Sequence, residues 1–117
     1  MRVEPIPHTV RPARRSPGER LRAAVLELAH GHGEVQNHTE KAWASITFAG
    51  SRHTIRLVFE GQDQVESGEQ LVAELPDHEF AIPRQLVADA TITSVESSLV
   101  PTPRMVVECE LLMLEDA

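Results

Sequence analysis

The feature that most constrains this chain is an alternation of apolar and polar residues on both sides of the dipeptide Gly50-Ser51. Segments 42–49 and 52–60 each repeat with the period of two that is typical of strands. A two-residue loop that starts with glycine suits a type II′ hairpin, because glycine accepts the positive φ of the first turn position. We therefore predict that the two segments are strands joined by a tight turn.

This turn predicts a register in which Ile46 faces Ile55 and Phe48 faces His53, after a polar connector at residues 31–38. The register sorts the side chains of both strands onto opposite faces, and a slip of one residue would mix the two sets. The side chains expected on the inner face are Ala44, Ile46, Phe48, Ile55, Leu57 and Phe59.

A helix is predicted upstream of the hairpin, at residues 16–30. Ser16 is a suitable N-cap, Pro17 suits the first helical position, and Glu19 completes a capping box. Gly31 can adopt the left-handed conformation that ends a helix. Apolar residues at helical spacing would form its buried side, namely Leu21, Ala24, Val25, Leu28 and Ala29.

Residues 62–75 admit two interpretations. Asp63 with Glu66 resembles a capping box, and the apolar residues that follow fit one helical face. Against a helix, Gly68 would destabilise its interior by up to ~1 kcal/mol, and together with Ser67 it could turn a hairpin instead. We favour the helix.

The last third of the chain predicts three strands, at residues 79–82, 86–95 and 104–114. In the second, Leu86, Ala88, Ala90 and Ile92 alternate on one face, and a break in the alternation indicates a bulge near Ser94. In the third, one face would carry Met105, Val107, Cys109, Leu111 and Met113.

The predicted element order is therefore α-β-β-α-β-β-β, which is typical of an α+β fold. We expect a two-layer sandwich in which two helices cover one face of a mainly antiparallel sheet of about five strands. The 117 residues fit one domain, predicted at 16–117, after an extended basic arm rich in proline and arginine at 1–15. No internal repeat is visible.

The sequence favours a location in the cytoplasm. Cys109 is the one cysteine, so an internal disulfide is impossible and a secreted, oxidised class loses its main support. The N-terminus lacks the apolar core of a signal peptide, and no apolar run has the length of a transmembrane helix. Cys109 alternates with apolar residues and is expected to be buried rather than reactive.

The second face of the predicted sheet is unusually apolar. Five residues are expected there, namely Trp43, Val58, Val106, Leu112 and Leu114. Apolar side chains on both faces of a strand usually mean burial on both sides. We therefore predict a homo-oligomer, with a two-fold dimer favoured, although the arm or another protein could also cover this face.

Charge is divided unevenly between the arm and the body. Six arginines against two glutamates make residues 1–22 net +4, so the rest must carry −11 of a total charge of −7. A basic arm could contact an acidic partner. The acidic body would repel a phosphate backbone, and aromatic side chains that could stack on bases are few, so nucleic-acid binding is disfavoured.

No pattern identifies a catalytic group, cofactor or metal site. Six histidines invite a metal interpretation, but they lack any established ligand spacing. His53 sits at the rim of the predicted core beside Phe48, and His38 lies in the polar connector, so these three could line a pocket for an unknown small ligand.

The sequence does not reveal a biochemical function, and three hypotheses remain. The first is a non-enzymatic oligomeric module that binds a partner or ligand through its sheet. The second is a small enzyme or ligand-binding protein with its site near His53, Phe48 and His38. The third is contact of the basic arm with an acidic partner.

Overall fold

The computed structural model describes residues 15–116, so almost all of the predicted arm lies outside the described residues. The helices are α1 (Pro17–Leu28) and α2 (Gln62–Glu74). The strands are β1 (Glu34–Ala44), β2 (Ala49–Glu60), β3 (Gln85–Ser98) and β4 (Arg104–Glu115). A short 3-10 turn, Leu75–Asp77, follows α2.

The four strands form one antiparallel sheet in the order β1-β2-β4-β3. Residues 15–116 thus contain two successive helix–hairpin units, α1-β1-β2 and α2-β3-β4, with β2 and β4 side by side at the centre. Both helices pack against the same face of the sheet, where they form one core with β2 and β4. This arrangement confirms the predicted α+β class with two helices on one face.

Helix α1 begins as its local sequence predicts. The Ser16 hydroxyl accepts from the Glu19 N–H at 3.1 Å, and the Glu19 carboxylate accepts from the Ser16 N–H at 2.8 Å. The hydrogen bond that the Ser16 N–H donates to the carboxylate is the main cause that lowers the pKa of Glu19, and the Ser16 side chain acts in the same direction. The helix buries Leu21 and Val25, and Gly31, with φ 76°, follows its end. A complete capping box therefore holds the start of α1 in place.

Helix α2 confirms the favoured interpretation of residues 62–75, but glycine determines how it packs. A Cβ on Gly68 would lie 2.8 Å from Phe59 Cδ2 and 2.9 Å from Met105 Sδ. On the other side of the same ring, a Cβ on Gly33 would lie 2.6 Å from Phe59 Cε1. Phe59 is thus held between two glycines. Gly68, which is unfavourable inside a helix, lets α2 approach the sheet because it has no side chain.

The β1–β2 hairpin turns at residues 45–48, so the predicted turn at Gly50-Ser51 is wrong. Ala44 pairs with Ala49. Ser45 donates its N–H to the Phe48 carbonyl at 2.7 Å, and its hydroxyl accepts from the Phe48 N–H at 3.0 Å. A serine that bonds neighbouring backbone groups is a common way to close a turn without glycine.

The moved turn also overturns the predicted pairs. Ile55 pairs with His38, which was predicted to lie in the connector at residues 31–38, and His53 pairs with Glu40. Ile46 is fully exposed and Phe48 is 51% exposed, so neither lies in the core. Ala44 is exposed as well. The predicted face of the second strand is correct, because Ile55, Leu57 and Phe59 are completely buried.

Two predictions for the last third also need correction. Residues 79–82 form no strand; Ile82 makes only an isolated bridge to Gln85, so residues 15–116 contain four strands in the sheet instead of five. The bulge expected near Ser94 is present between Ile92 and Ser94. A second bulge between Val87 and Asp89 shifts the inner face of β3, so that Val87, Ala90 and Ile92 pack on the core while Leu86 is 56% exposed.

Strand β4 confirms its predicted alternation, and its inner residues are all buried. Cys109 lies among them, and its thiol donates to the Ile55 carbonyl at 3.6 Å. Burial, with a smaller contribution from Glu108, raises the pKa of this thiol to about 12. The cysteine is therefore a buried, protonated part of the core.

Neither α1 nor α2 is long and apolar enough to span a bilayer, and no other helix in the described part of the chain is.

Candidate functional site

A chain of hydrogen bonds runs through one buried and one half-buried histidine between α1 and the sheet. His53, on β2, is completely buried. Its Nδ1 lies 2.9 Å from Nε2 of His38 on β1, and its Nε2 lies 2.7 Å from the Ser51 hydroxyl. Arg22 of α1 donates from Nε to Nδ1 of His38 at 3.1 Å. We call these four residues, Arg22, His38, His53 and Ser51, the histidine chain.

The arginine sets the direction of every proton in the histidine chain. A guanidinium can only donate, so Nδ1 of His38 must accept and Nε2 of His38 must carry the hydrogen. His38 therefore donates to Nδ1 of His53, whose hydrogen must then be on Nε2. His53 donates this hydrogen to the Ser51 oxygen. The hydroxyl hydrogen of Ser51 then points away from His53 and the rest of the histidine chain.

Both histidines are held in the neutral form. Burial is the main cause that lowers the pKa of His53, and the nearby Glu40 carboxylate, 4.0 Å away, acts in the opposite direction. Burial also lowers the pKa of His38, followed by the positive charge of Arg22 and by His53. Neutral rings are the forms that the hydrogen-bond directions require.

Stability should therefore fall as the solution is acidified. Both pKa values lie below the ordinary value of 6.5 in the folded protein, so the unfolded chain binds more protons below that pH. The contribution of the two neutral rings is complete above pH 6.5 and is lost as the pH falls below it. We expect the midpoint of urea unfolding to be lower at about pH 5.5 than at about pH 7.5.

The control is the double variant His38→Gln/His53→Gln, which keeps polar side chains but removes both titrating rings. Its unfolding midpoint should change less with pH than that of the native sequence. An equal pH dependence in both proteins would show that these two histidines are not responsible.

Ser51 opens into a cleft of about 340 Å³ beside the start of α1. The polar residues that line the cleft are Ser16, Glu40, Ser51, Gln85 and Glu115. Gly18 also lines the cleft, and a Cβ there would lie 3.1 Å from a Glu40 carboxylate oxygen and 3.3 Å from the His53 ring. We call this space the Ser51 cleft. Residues 15–116 contain no group of three or more His, Cys, Asp or Glu that could hold a metal ion.

The structure brings together two of the three residues predicted to bind a ligand. His38 and His53 form a direct hydrogen bond. Phe48 lies apart from them at the hairpin turn, where it lines a separate depression of about 360 Å³ with Thr47, Ala49, Glu115 and Asp116. Ser51, Arg22 and Glu40 were not predicted. For Ser51 the sequence does hold a signal, because residues two apart on one strand point to the same face and Ser51 lies two residues before His53. Arg22 and Glu40 have no such signal.

The direction of the histidine chain determines what Ser51 can do chemically. A serine nucleophile needs a base that accepts its proton. Here Nε2 of His53 already carries a hydrogen and donates to Ser51, because Arg22 sets the tautomer of both rings. The arrangement therefore prepares Ser51 as a hydrogen-bond donor toward the cleft and not as a nucleophile.

The face of the sheet opposite the helices, here called the outer face, has apolar residues at both ends. At one end, paired positions run across the sheet from Trp43 through Gly50 and Leu114 to Leu86. At the other end, Val58 pairs with Val106. The five residues predicted for this face all lie on it: Trp43, Val58, Val106, Leu112 and Leu114. Within one chain Val58, Val106 and Leu114 are already buried, and Trp43 and Leu112 are half-buried.

Ion pairs occupy the middle of the outer face. Arg52 lies 3.1 Å from Glu110, and Arg56 lies 3.7 Å from Glu108 and 3.8 Å from Glu96. The paired side chains are at least one-third exposed, so each pair adds little to stability by itself. Their main effect is to divide the face by charge, with cations on the β1–β2 side and anions on the β3–β4 side.

Comparison of the chain with protein-family models, with curated proteins and with solved structures finds no match in any of the three.

Proposed function

We propose that this protein is a non-enzymatic binding module that functions as a homo-oligomer, with a two-fold dimer formed through the outer face. The observation that carries the proposal is the pattern of this face, with apolar residues at both ends and opposite charges on its two halves. The β1–β2 half carries the cations Lys41, Arg52 and Arg56, with Glu34 and Glu60 at one end, and the β3–β4 half carries the anions Asp89, Glu96, Glu108 and Glu110, with Arg104 at that end.

A two-fold axis parallel to the strands, between β2 and β4, makes this face complementary to itself. It places the β1–β2 half of one copy over the β3–β4 half of the other. Lys41 then faces Asp89 of the second copy, and Arg56 faces its Glu108. Each apolar end meets the same end of the second copy, so that Trp43 packs near Leu86.

The other two-fold axis in the plane of the face runs across the strands, and we reject it. It would place like charges over each other and apolar ends over different ends. The chosen axis leaves one like-charge pair, Glu34 over Glu96, at a corner of the sheet. Packed sheets cross at about 30°, so corners diverge and such a pair is separated.

A pair of charge reversals tests this arrangement. Lys41 and Asp89 are both exposed and lie on opposite edge strands, so they meet only between copies. We expect Lys41→Asp and Asp89→Lys each to weaken self-association at least about tenfold, because each creates two like-charge contacts per dimer. Mixing the two variants should restore association, because both contacts then become attractive.

Sedimentation analysis from about micromolar to about millimolar protein would measure these effects. Glu69→Lys is the control, since Glu69 is exposed on α2, away from the outer face. A native protein that is monomeric throughout would overturn the proposal. A dimer unaffected by either reversal would overturn the proposed face.

A further inference from the structure

We infer that the Ser51 cleft is a binding site for a small organic cation that also carries an oxygen acceptor, such as an amino alcohol. The cleft lies on the helix-bearing side of the sheet, so the inference is independent of the proposed dimer. Three observations carry it: the direction of the histidine chain, the charge of the lining residues and the size of the space.

Ser51 supplies a donor that needs a partner from outside the chain. Its oxygen accepts from Nε2 of His53 at 2.7 Å, so its hydroxyl hydrogen is free to donate. No described residue accepts that hydrogen, and Ser51 lines the cleft. A ligand with a hydroxyl, ether or carbonyl oxygen would complete this hydrogen bond.

The charged groups around Ser51 select for a cation. Glu40 and Glu115 line the cleft, and none of the described residues that line it is a lysine or arginine. Arg22 is bonded to His38 and does not line the cleft. The two histidines are neutral near pH 7, so they do not offset the carboxylates. An ammonium group is attracted here, whereas a carboxylate or phosphate is repelled.

The volume of the cleft limits the size of the ligand. About 340 Å³ lies near the lower end of the ~300–1,000 Å³ that is usual for small-molecule sites. The lining is mostly polar, so specificity would come from hydrogen bonds. Complete burial of His53 holds Ser51 in a fixed position, and a preorganised donor binds with a smaller loss of entropy.

Three small probes separate the two chemical requirements. Ethanolamine has both an ammonium group and a hydroxyl, ethylamine has only the ammonium group, and ethylene glycol has only hydroxyls. Amide chemical shifts of the full-length protein would be followed during titration with each compound. We expect ethanolamine to bind with a Kd of about millimolar order and to shift residues around Ser51. Ethylamine should bind at least about threefold more weakly, and ethylene glycol should not bind measurably.

Two substitutions separate the same requirements in the protein. Ser51→Ala should weaken ethanolamine binding about threefold to tenfold and leave ethylamine binding unchanged. Glu40→Gln is nearly isosteric at a half-exposed side chain, so it should preserve the fold while weakening both amines. Ser98→Ala is the matched control, because Ser98 is exposed at the far end of β3.

Shifts spread evenly over the acidic surface, with no preference for ethanolamine, would overturn the inference. Equal affinities for ethanolamine before and after Ser51→Ala would overturn the role of the hydroxyl. If Ser51→Ala does not fold, an undiminished affinity in Glu40→Gln would still reject the site. None of these outcomes depends on whether the protein is a dimer.

Discussion

Replacing Phe59 by alanine should lower the free energy of unfolding by about 3–5 kcal/mol, as measured by urea denaturation. Phe59 is completely buried, and its ring is held between Gly33 and Gly68. The two glycines have no side chain that could rotate into the space that the ring leaves. The lost burial is therefore accompanied by a cavity, and the cost should lie at the upper end for aromatic residues.

Phe48→Ala is the matched control for this prediction. Phe48 is 51% exposed at the hairpin turn, so its truncation should cost no more than about 0.5 kcal/mol. The sequence pattern places both phenylalanines on the inner face and predicts large losses for both. Similar losses in the two variants would contradict the turn at residues 45–48 and restore the hairpin at Gly50-Ser51.

Gly50→Ala should destabilise the protein by about 3 kcal/mol, which is the upper end for overpacking. An added Cβ would collide with the carbonyl oxygen of Met113 and would lie 2.9 Å from Leu114 Cα and 3.0 Å from the Met113 carbonyl carbon. These atoms belong to the backbone of β4, so a change of rotamer cannot relieve the contact. The central β2–β4 pairing would have to shift.

Gly61→Ala separates this steric effect from the cost of replacing any glycine. Gly61 has a φ of +92° and no neighbour within 4 Å of an added Cβ. Its substitution should cost only the conformational strain of about 1–2 kcal/mol. A loss at Gly50 no larger than that at Gly61 would show that β2 and β4 do not approach closely at this point.

The parts of the fold that the sequence predicts correctly depend on neighbours along the chain. Helix α1 starts at a capping box whose residues are three positions apart, so the pattern and the contact are the same feature. Strand β4 alternates along its whole length because its inner face contacts the core at every second residue. Local contacts of this kind are readable without knowledge of the fold.

The hairpin was misplaced because β1 does not bury a regular side. It is an edge strand, and its residues are exposed or half-buried throughout. Ile46 and Phe48 alternate with polar residues as a strand would, but both lie in the exposed turn. Their spacing therefore led to the wrong prediction of a strand at residues 42–49. Serine side-chain hydrogen bonds close this turn, and they leave no clear sequence pattern.

The candidate site was likewise predicted only in part from the sequence. His53 and His38 were predicted to lie near one pocket, and they do share a hydrogen bond. The sequence assigned Ser51 to a turn, which hid its position two residues before His53 on the same strand. Arg22 was counted only among the arginines of residues 1–22, and no site was predicted for it.

By itself, the sequence determined the class of fold, the two helices and the strand that forms the centre of the core, because each depends on residues close along the chain. Only the tertiary structure decided which strand pairs with which, where the first hairpin turns, and which polar side chains meet. These features depend on contacts between residues far apart in sequence, and a shift of a few residues in one turn rearranges all of them.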